Sequence, residues 1–514
     1  MNLSSRFVGV LLWTALGAGL GAVAPPNPLG LTNDGAQYLS GARNLRAGNG
    51  YSTSILHFDE HYRAGRLPSP QTVWPPAYPA SLAALTALGL SEDAAVRCSG
   101  IAALGAIVGL TFALAMALSG SATAGSLAAL WVAANTELLF YVRTPSTELA
   151  FMAFGLGALV AVARADASRA VPWIAGGLLA AAAMYTRYAG LFVAMGLGVY
   201  ALVVAWRAPG SWRERARPVL GLLPGAALIA GLLLRNLVLA GDLKGGNSKT
   251  VSQSIPGLLR ETVVGLADGL GGTSLSDLRA GGLRALLAAG GALALVVAGL
   301  LVLRFWKELR RPGALPVLLV AVLYTAGVIA ISSRTMLTFG LRYLLPVLPC
   351  LVVLALAGAW KASRAARALA LGAAVLAAGA GIGAYGRRLE VREKAGPAAV
   401  DGALLTWARS PESAGRILGV GLSQAQAFLL DREVLLVPHS FFTGAPWDRS
   451  QVDAVVSRYG VRWVVVGRVR DPQAWPGFAR ELLAGRVPGW LRPAARGPGA
   501  DVFSVEKAAA GPVP

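Results

Sequence analysis

Carboxylates, imidazoles and guanidinium groups cluster at few positions in this chain. One such stretch is 25–75, directly after the first apolar run, which carries LTNDGAQYLSGARNLRAGNGYS, then HFDEH, and runs into WPPAYP. Asp34, in this stretch, has two readings. The segment Asn33-Asp34-Gly35-Ala36, followed by Tyr38, Ala42 and Leu45 at helical spacing, has the form of an N-cap and an amphipathic helix. As a cap alone Asp34 would contribute about 1 kcal/mol. At a membrane face the same carboxylate would take a proton from an attacking hydroxyl or hold a divalent cation. In HFDEH, His57 and His61 stand at i, i+4 with Glu60 beside them, a spacing that puts both imidazoles on one helix face as metal ligands. Glu60 is not next to the first histidine, so this is not the HExxH pattern, and a solvated loop is the plainer reading. A divalent cation is the one cofactor these residues suggest.

A second set of charges lies beside apolar runs: Arg143 and Glu148 in YVRTPSTELAF, Arg187 and Tyr188 in MYTRYAGL, Arg235 with Asn236, and Arg342 with Tyr343 in RYLLPVLP. An arginine at a span boundary often only snorkels to water. Several converging guanidinium groups would instead bind a phosphate headgroup, because their planar donors match phosphate oxygens.

The elements that must position these groups are mostly bilayer spans. Hydrophobic residues make up 55% of the 514 and charged residues only 14%, with a mean hydropathy of +0.58. A soluble protein of this size has no interior large enough for so much apolar side chain. Spans of roughly 17–23 residues are expected near 7–24, 95–118, 122–140, 148–164, 171–186, 188–206, 218–239, 283–304, 314–331, 341–359 and 368–385, about eleven in all. The short apolar stretch 76–90, opened by Pro75, Pro76 and Pro79, reads as an interfacial or re-entrant helix. Arg6, an apolar run and Ala22-Val23-Ala24 resemble a signal peptide, but the length of the run favours an uncleaved first span.

The formal charge of +20 does not point to nucleic acid. Its arginines and lysines sit in short clusters after alternate spans: Arg164 and Arg169; Arg207, Arg213, Arg215 and Arg217; Arg304, Lys307, Arg310 and Arg311; Lys361, Arg364 and Arg367. That is the pattern of topogenic charge on the cytoplasmic side, and it puts the loop 25–75 outside. Cys98 and Cys350 both lie in or at the edge of apolar runs, where they act as small hydrophobes and build no disulfide framework.

From about Gly386 the composition becomes that of a soluble domain, so 1–385 is expected as the transmembrane domain and 386–514 as a small extracytoplasmic α/β domain. RILGVG, VLLVP and VRWVVVG read as strands, with helical periodicity in SQAQAFLLD and DRSQVDAVVSRYG between them. This alternation implies a mostly parallel sheet. The glycines of ILGVGLSQ are a weak phosphate-turn signal, lacking an acidic residue at the distance the nucleotide fingerprint requires.

Taken in order, NDGAQYLSGARNLRAGNGYS, WPPAYPASLAAL, TPSTELAF, TRYAGL, Arg235-Asn236 and RYLLPVLP resemble a bacterial polytopic GT-C glycosyltransferase of the protein O-mannosyltransferase and lipid A aminoarabinose transferase group. The resemblance covers about residues 1–360. It implies a hexosyl- or pentosyltransferase with a polyprenyl-phosphate sugar as donor and an extracytoplasmic lipid, glycan or protein as acceptor, in the bacterial inner membrane. It also implies that Asp34 is the catalytic base and Glu148 the second acid, with arginine on the leaving phosphate. Relatives often carry paired acids at the first site; here Asn33 stands beside Asp34, which puts a paired-carboxylate mechanism in doubt. The rival reading is a transporter or flippase of a lipid-linked sugar, which would be expected to carry ionisable groups at mid-membrane and internal repeats. Neither is visible in the sequence.

Overall fold

Apolar runs fold as helices because a backbone in hydrocarbon must satisfy its own N–H and C=O groups. The computed structural model describes residues 3–25, 30–57, 65–243, 245, 253–271, 313–334, 340–395, 402–437, 449–468 and 477–506. The helices are, in order, α1 (Leu3–Val23), α2 (Asn33–Arg46), α3 (Ala77–Ala87), α4 (Glu92–Ser119), α5 (Ala122–Ala133), α6 (Thr136–Tyr141), α7 (Glu148–Val162), α8 (Val171–Thr186), α9 (Gly190–Arg207) and α10 (Trp212–Ala240). They continue with α11 (Ile255–Leu270), α12 (Leu315–Ser332), α13 (Leu341–Leu344), α14 (Leu348–Ala362), α15 (Arg364–Ala395), α16 (Gly402–Arg409), α17 (Gln424–Leu429), α18 (Arg449–Tyr459) and α19 (Gly477–Leu483). The strands are β1 (Ser52–Thr53), β2 (Ile55–Leu56), β3 (Ser69–Pro70), β4 (Arg416–Val420), β5 (Val434–Leu436), β6 (Val461–Gly467), β7 (Leu491–Arg496) and β8 (Ala500–Val505).

Among the described residues, seven helices are long and apolar enough to cross a bilayer: Arg6–Val23, Glu92–Ser119, Gly190–Arg207, Trp212–Ala240, Leu315–Ser332, Leu341–Ala362 and Arg364–Ile382. Three shorter apolar helices, α5, α7 and α8, occupy the expected third, fourth and fifth spans. The expected span at 283–304 lies outside the described residues. The protein is therefore a multi-pass membrane protein built mainly of helices, with a strand-containing C-terminal region. α3, opened by Pro76, has only 11 residues, too few to cross a bilayer.

The chain divides into two compact units. The first contains Met1–Pro28, Leu90–Leu232 and Ser252–Ala395. Its helices approach closely where small residues meet, as in membrane helix pairs that rely on packing. A Cβ added at Gly17 of α1 would stand 2.9 Å from Val108 of α4, and one at Gly105 would stand 2.8 Å from the Thr14 carbonyl. The core beneath includes Phe151, Trp173, Tyr200 and Tyr324, all fully buried. By contrast, Leu12, Leu202, Leu223 and Leu376 on the outer helices are exposed, which suits a hydrocarbon surround.

The second unit contains Leu29–Gly89, Leu233–Val251 and Gly396–Pro514. This division differs from the expected boundary near 386 in two ways. α15 continues to Ala395, and the stretches 29–89 and 233–251 group with the C-terminal residues. β2 is the reason. It joins a six-stranded sheet of order β2-β5-β4-β6-β8-β7, pairing in parallel with β5 through Ile55↔Val434 and Leu56↔Leu435. Ile55 and Leu56 are both completely buried, a burial that a two-residue strand finds only against another sheet. β4, β5 and β6 are parallel as expected, while β7 and β8 add an antiparallel hairpin beyond the strands read from the sequence.

Candidate functional site

In the second unit, Asp34 is the second residue of α2 and is half-buried. The cap is Thr32: its Oγ1 accepts the Gly35 N–H at 3.0 Å. The cap expected from Asn33 and Asp34 is thus supplied one residue earlier, so Asp34 is not needed for it. Asn33 points elsewhere, its Oδ1 accepting the Ala425 N–H at 3.3 Å.

Below Asp34, α2 is buried from Gly35 to Ala42 against a polar network within the same loop. Gln37 Nε2 donates to the Ile55 carbonyl (3.1 Å), and its Oε1 accepts from Thr53 Oγ1 (2.7 Å) and Gln71 Nε2 (3.1 Å). Asn44 Nδ2 donates to the Ser40 carbonyl at 3.1 Å, one helical turn back, and to Ser54 Oγ at 3.1 Å. The loop is rigid because each of these buried groups finds a partner. Arg235, expected on a phosphate, joins this network. Its Nη1 donates to the Gln71 carbonyl at 2.9 Å and Nη2 to the Tyr51 carbonyl at 3.5 Å, with the guanidinium 5.5 Å from the Tyr51 ring centre. Gly245, ten residues beyond Arg235, closes the loop. At φ +76 it has backbone freedom that a Cβ would deny, and Thr72 Oγ1 donates to its carbonyl at 2.9 Å.

His57 is buried, 8% exposed, while its expected metal-binding partners Glu60 and His61 lie outside the described residues. Among the described residues no group of three His, Cys, Asp or Glu is placed to hold a metal ion.

In the first unit, Glu148 opens α7 and is 1% exposed. Its Oε1 accepts from Arg187 Nη1 at 2.7 Å and from Arg342 Nε, while Oε2 is buried without a hydrogen-bond partner among the described residues. Arg187 Nη1 also reaches Thr147 Oγ1 at 3.3 Å. The Tyr343 ring lies under both guanidinium groups, 5.2 Å from Arg187 and 6.0 Å from Arg342, adding cation–π attraction. One carboxylate thus holds two arginines. Arg143 is turned away from this cluster, with Nη2 on the Ala22 carbonyl at 3.4 Å. Tyr188 lies in the tight turn between α8 and α9, where its carbonyl accepts the Leu191 N–H at 3.1 Å.

No family model matches the sequence, and no curated protein matches it. Solved structures do match. ArnT from Cupriavidus metallidurans bound to undecaprenyl phosphate aligns over 98% of this chain and 99% of its own, with a TM-score of 0.63 at 14% identity. The Archaeoglobus fulgidus oligosaccharyltransferase aligns over 90% of this chain and 69% of its own, with a TM-score of 0.57 at 11% identity; it has also been solved with an inhibitory peptide and a dolichol-phosphate. The chain has the GT-C fold.

Within this GT-C fold the sequence-level candidates fall into two sets. Glu148, Arg187, Arg342 and Tyr343 come together in the first unit; Asp34 and Arg235 stand in the second. Gln37, Thr53 and Gln71, which hold the loop under Asp34, were not singled out in the sequence. Their signal is faint: uncharged polar residues repeating through a segment that also carries Asp34.

Proposed function

We propose that this chain is a membrane glycosyltransferase that moves a sugar from a polyprenyl monophosphate to an acceptor hydroxyl. The observation that carries the reading is the Glu148–Arg187–Arg342 cluster, set at span boundaries in a fold shared with a structure bound to undecaprenyl phosphate. Arg187 and Arg342 are both oriented by one carboxylate, and such paired guanidinium groups suit a phosphate monoester. Glu148 acts here as the positioning residue that fixes both arginines through its Oε1. Asp34 is the general base. It takes the proton of the acceptor O–H as that oxygen attacks the anomeric carbon. The bond from the anomeric carbon to the phosphate oxygen breaks, and polyprenyl phosphate leaves with its new negative charge stabilised by arginine.

The site faces outside the cytoplasm in a bacterial inner membrane. In support, Arg164, Arg207, Arg213 and Arg215 stand at the opposite ends of α7, α9 and α10 from the Glu148 cluster, as positive-inside charge requires. The acceptor is a lipid, glycan or protein on that outer side, and the residues 396–514 contact it.

The test is release of free polyprenyl phosphate by purified protein in lipid nanodiscs, given a panel of polyprenyl-phosphate sugars and a cell-envelope extract as acceptor. Asp34→Asn is expected to lower release by about 10²–10⁴-fold without loss of folding. Equal release by both proteins removes Asp34 as base. No release with any donor, together with movement of labelled lipid across the bilayer, makes the protein a transporter.

A further inference from the structure

Within the second unit a cavity of about 580 Å³ opens between α2 and the sheet. Its volume falls in the range of roughly 300–1,000 Å³ typical of small-molecule sites. The wall is formed by Arg43 on α2, Ser54 before β2, Arg416 at the start of β4, and Asp431 and Glu433 before β5. The cavity thus lies where the parallel strands begin. Helices that follow such strands point their N–H groups at the other end of the sheet, where phosphate ligands usually bind. What this cavity offers a ligand is side chains.

Two ion pairs make up its polar surface. Arg43 Nη1 meets Asp431 Oδ1 at 2.7 Å, and Arg416 Nε meets Glu433 Oε2 at 2.7 Å. Both arginines are held from a second side. The Arg43 guanidinium stands over the Phe428 ring, 4.0 Å from its centre, and Arg416 Nη1 donates to the Tyr459 carbonyl at 2.8 Å. All four charged side chains stay reachable from solvent, from 33% exposed at Glu433 to 81% at Asp431. Oδ2 of Asp431 and Oε1 of Glu433 have no hydrogen-bond partner among the described residues. A third guanidinium in the wall, Arg432, is turned to the carbonyls of Ala408 and Ser410.

The backbone at Asp431 adds to this. Its φ of +52 is the only positive φ among the described residues that does not belong to a glycine. Aspartate tolerates that region better than most residues, but glycine would occupy it at less cost. What aspartate adds there is its carboxylate.

Charge pairing narrows the class of ligand. An anion would compete with Asp431 and Glu433 for Arg43 and Arg416, and an ammonium group would compete with the arginines. A lipid chain or an apolar peptide side chain finds little to pack on. Apart from glycines, the apolar wall residues are Ile55 and Phe428, only 1% and 8% exposed. A guanidinium fixed beside a carboxylate presents donors next to an acceptor. That is the complement of adjacent hydroxyl groups, of which one accepts while its neighbour donates.

We propose that this cavity binds a neutral saccharide and that the acceptor of the chain is therefore a glycan. The binding stands on the cavity alone, whereas its role as acceptor site rests on the transferase reading above. Arg43 lies about two and a half turns beyond Asp34 on α2, about 13 Å along the axis and on the opposite side of the helix. The cavity therefore holds sugar residues remote from the hydroxyl that reacts.

The experiment titrates full-length protein in lipid nanodiscs with maltotriose, mannotriose, galactotriose, chitotriose and xylotriose, reading saturation-transfer NMR of the ligand. Trigalacturonate and trialanine serve as the anionic and peptide comparisons. At least one neutral trisaccharide is expected to bind saturably, with half-saturation unchanged between about 0.05 and 0.5 M salt, because no net charge is being attracted. Asp431→Asn and Glu433→Gln each remove a charge while keeping the shape, and asparagine also accepts a positive φ. Each is expected to raise the half-saturating concentration about tenfold. Binding of trigalacturonate alone, of trialanine alone or of nothing in the panel would overturn the proposal, as would equal half-saturation in the wild type and both variants. Release of polyprenyl phosphate, measured on the same preparation, separates the two readings. Release without saccharide binding removes the saccharide site and leaves the transferase. Saccharide binding without release from any donor leaves the site and overturns its role as acceptor.

Discussion

The two units use arginine at span boundaries in opposite ways. In the first, Arg187 and Arg342 converge on one buried carboxylate. In the second, Arg235 commits its donors to the backbone carbonyls of Gln71 and Tyr51. By sequence the three are alike: each is an arginine beside a polar residue where an apolar run begins or ends. The lesson concerns what an arginine has left after folding. One held by a carboxylate is oriented yet still able to meet a phosphate, whereas one holding backbone carbonyls acts as a staple for the loop that carries Asp34.

That comparison predicts a sequence of effects. The largest is for Glu148→Ala, which strands two guanidinium groups around a buried space; breaking a buried ion pair by deleting one partner costs about 3–5 kcal/mol. Denaturant or thermal unfolding should register the loss, together with a raised KM for the lipid donor. An unchanged Tm would separate Glu148 from both arginines and end the positioning role.

Next, Arg342→Lys retains the charge but not the planar fork. Donor KM is expected to rise about tenfold, equivalent to about 1.4 kcal/mol, while Arg235→Lys leaves donor KM where it was. If both substitutions raise KM alike, the distinction between clamp and staple fails. Arg235→Gln should instead appear as instability of the loop, about 1–3 kcal/mol, the cost of leaving a buried carbonyl unsatisfied; limited proteolysis within 29–89 reads it directly. The smallest effect sharpens the reading of Asp34. Thr32→Ala should cost about 1 kcal/mol as a lost N-cap, while Asp34→Ala leaves that cap in place. A larger stability loss at Asp34 than at Thr32 would return Asp34 to a structural role.

The spans and the polar first loop were legible because hydrophobic length and composition are local properties. So were the strands around Ile417, Val434 and Val464, whose β-branched runs end at turn residues. The hairpin of β7 and β8 was harder to see, since LRPAAR has little apolar alternation and its burial comes mainly from its partner strand. Of HFDEH, His57 alone is among the described residues.

By itself, then, the sequence determined that this is a helical membrane protein with a polar first loop and an α/β end, since each follows from the composition of neighbouring residues. The tertiary structure decided three things that spacing does not encode. It gave Ile55 and Leu56 to the C-terminal sheet, made Thr32 the cap in place of Asn33 and Asp34, and joined Glu148 to Arg187 and Arg342. The strand pairing and the ion pairs bring together groups far apart in the chain, and a buried carboxylate takes whichever cations the packed helices set beside it.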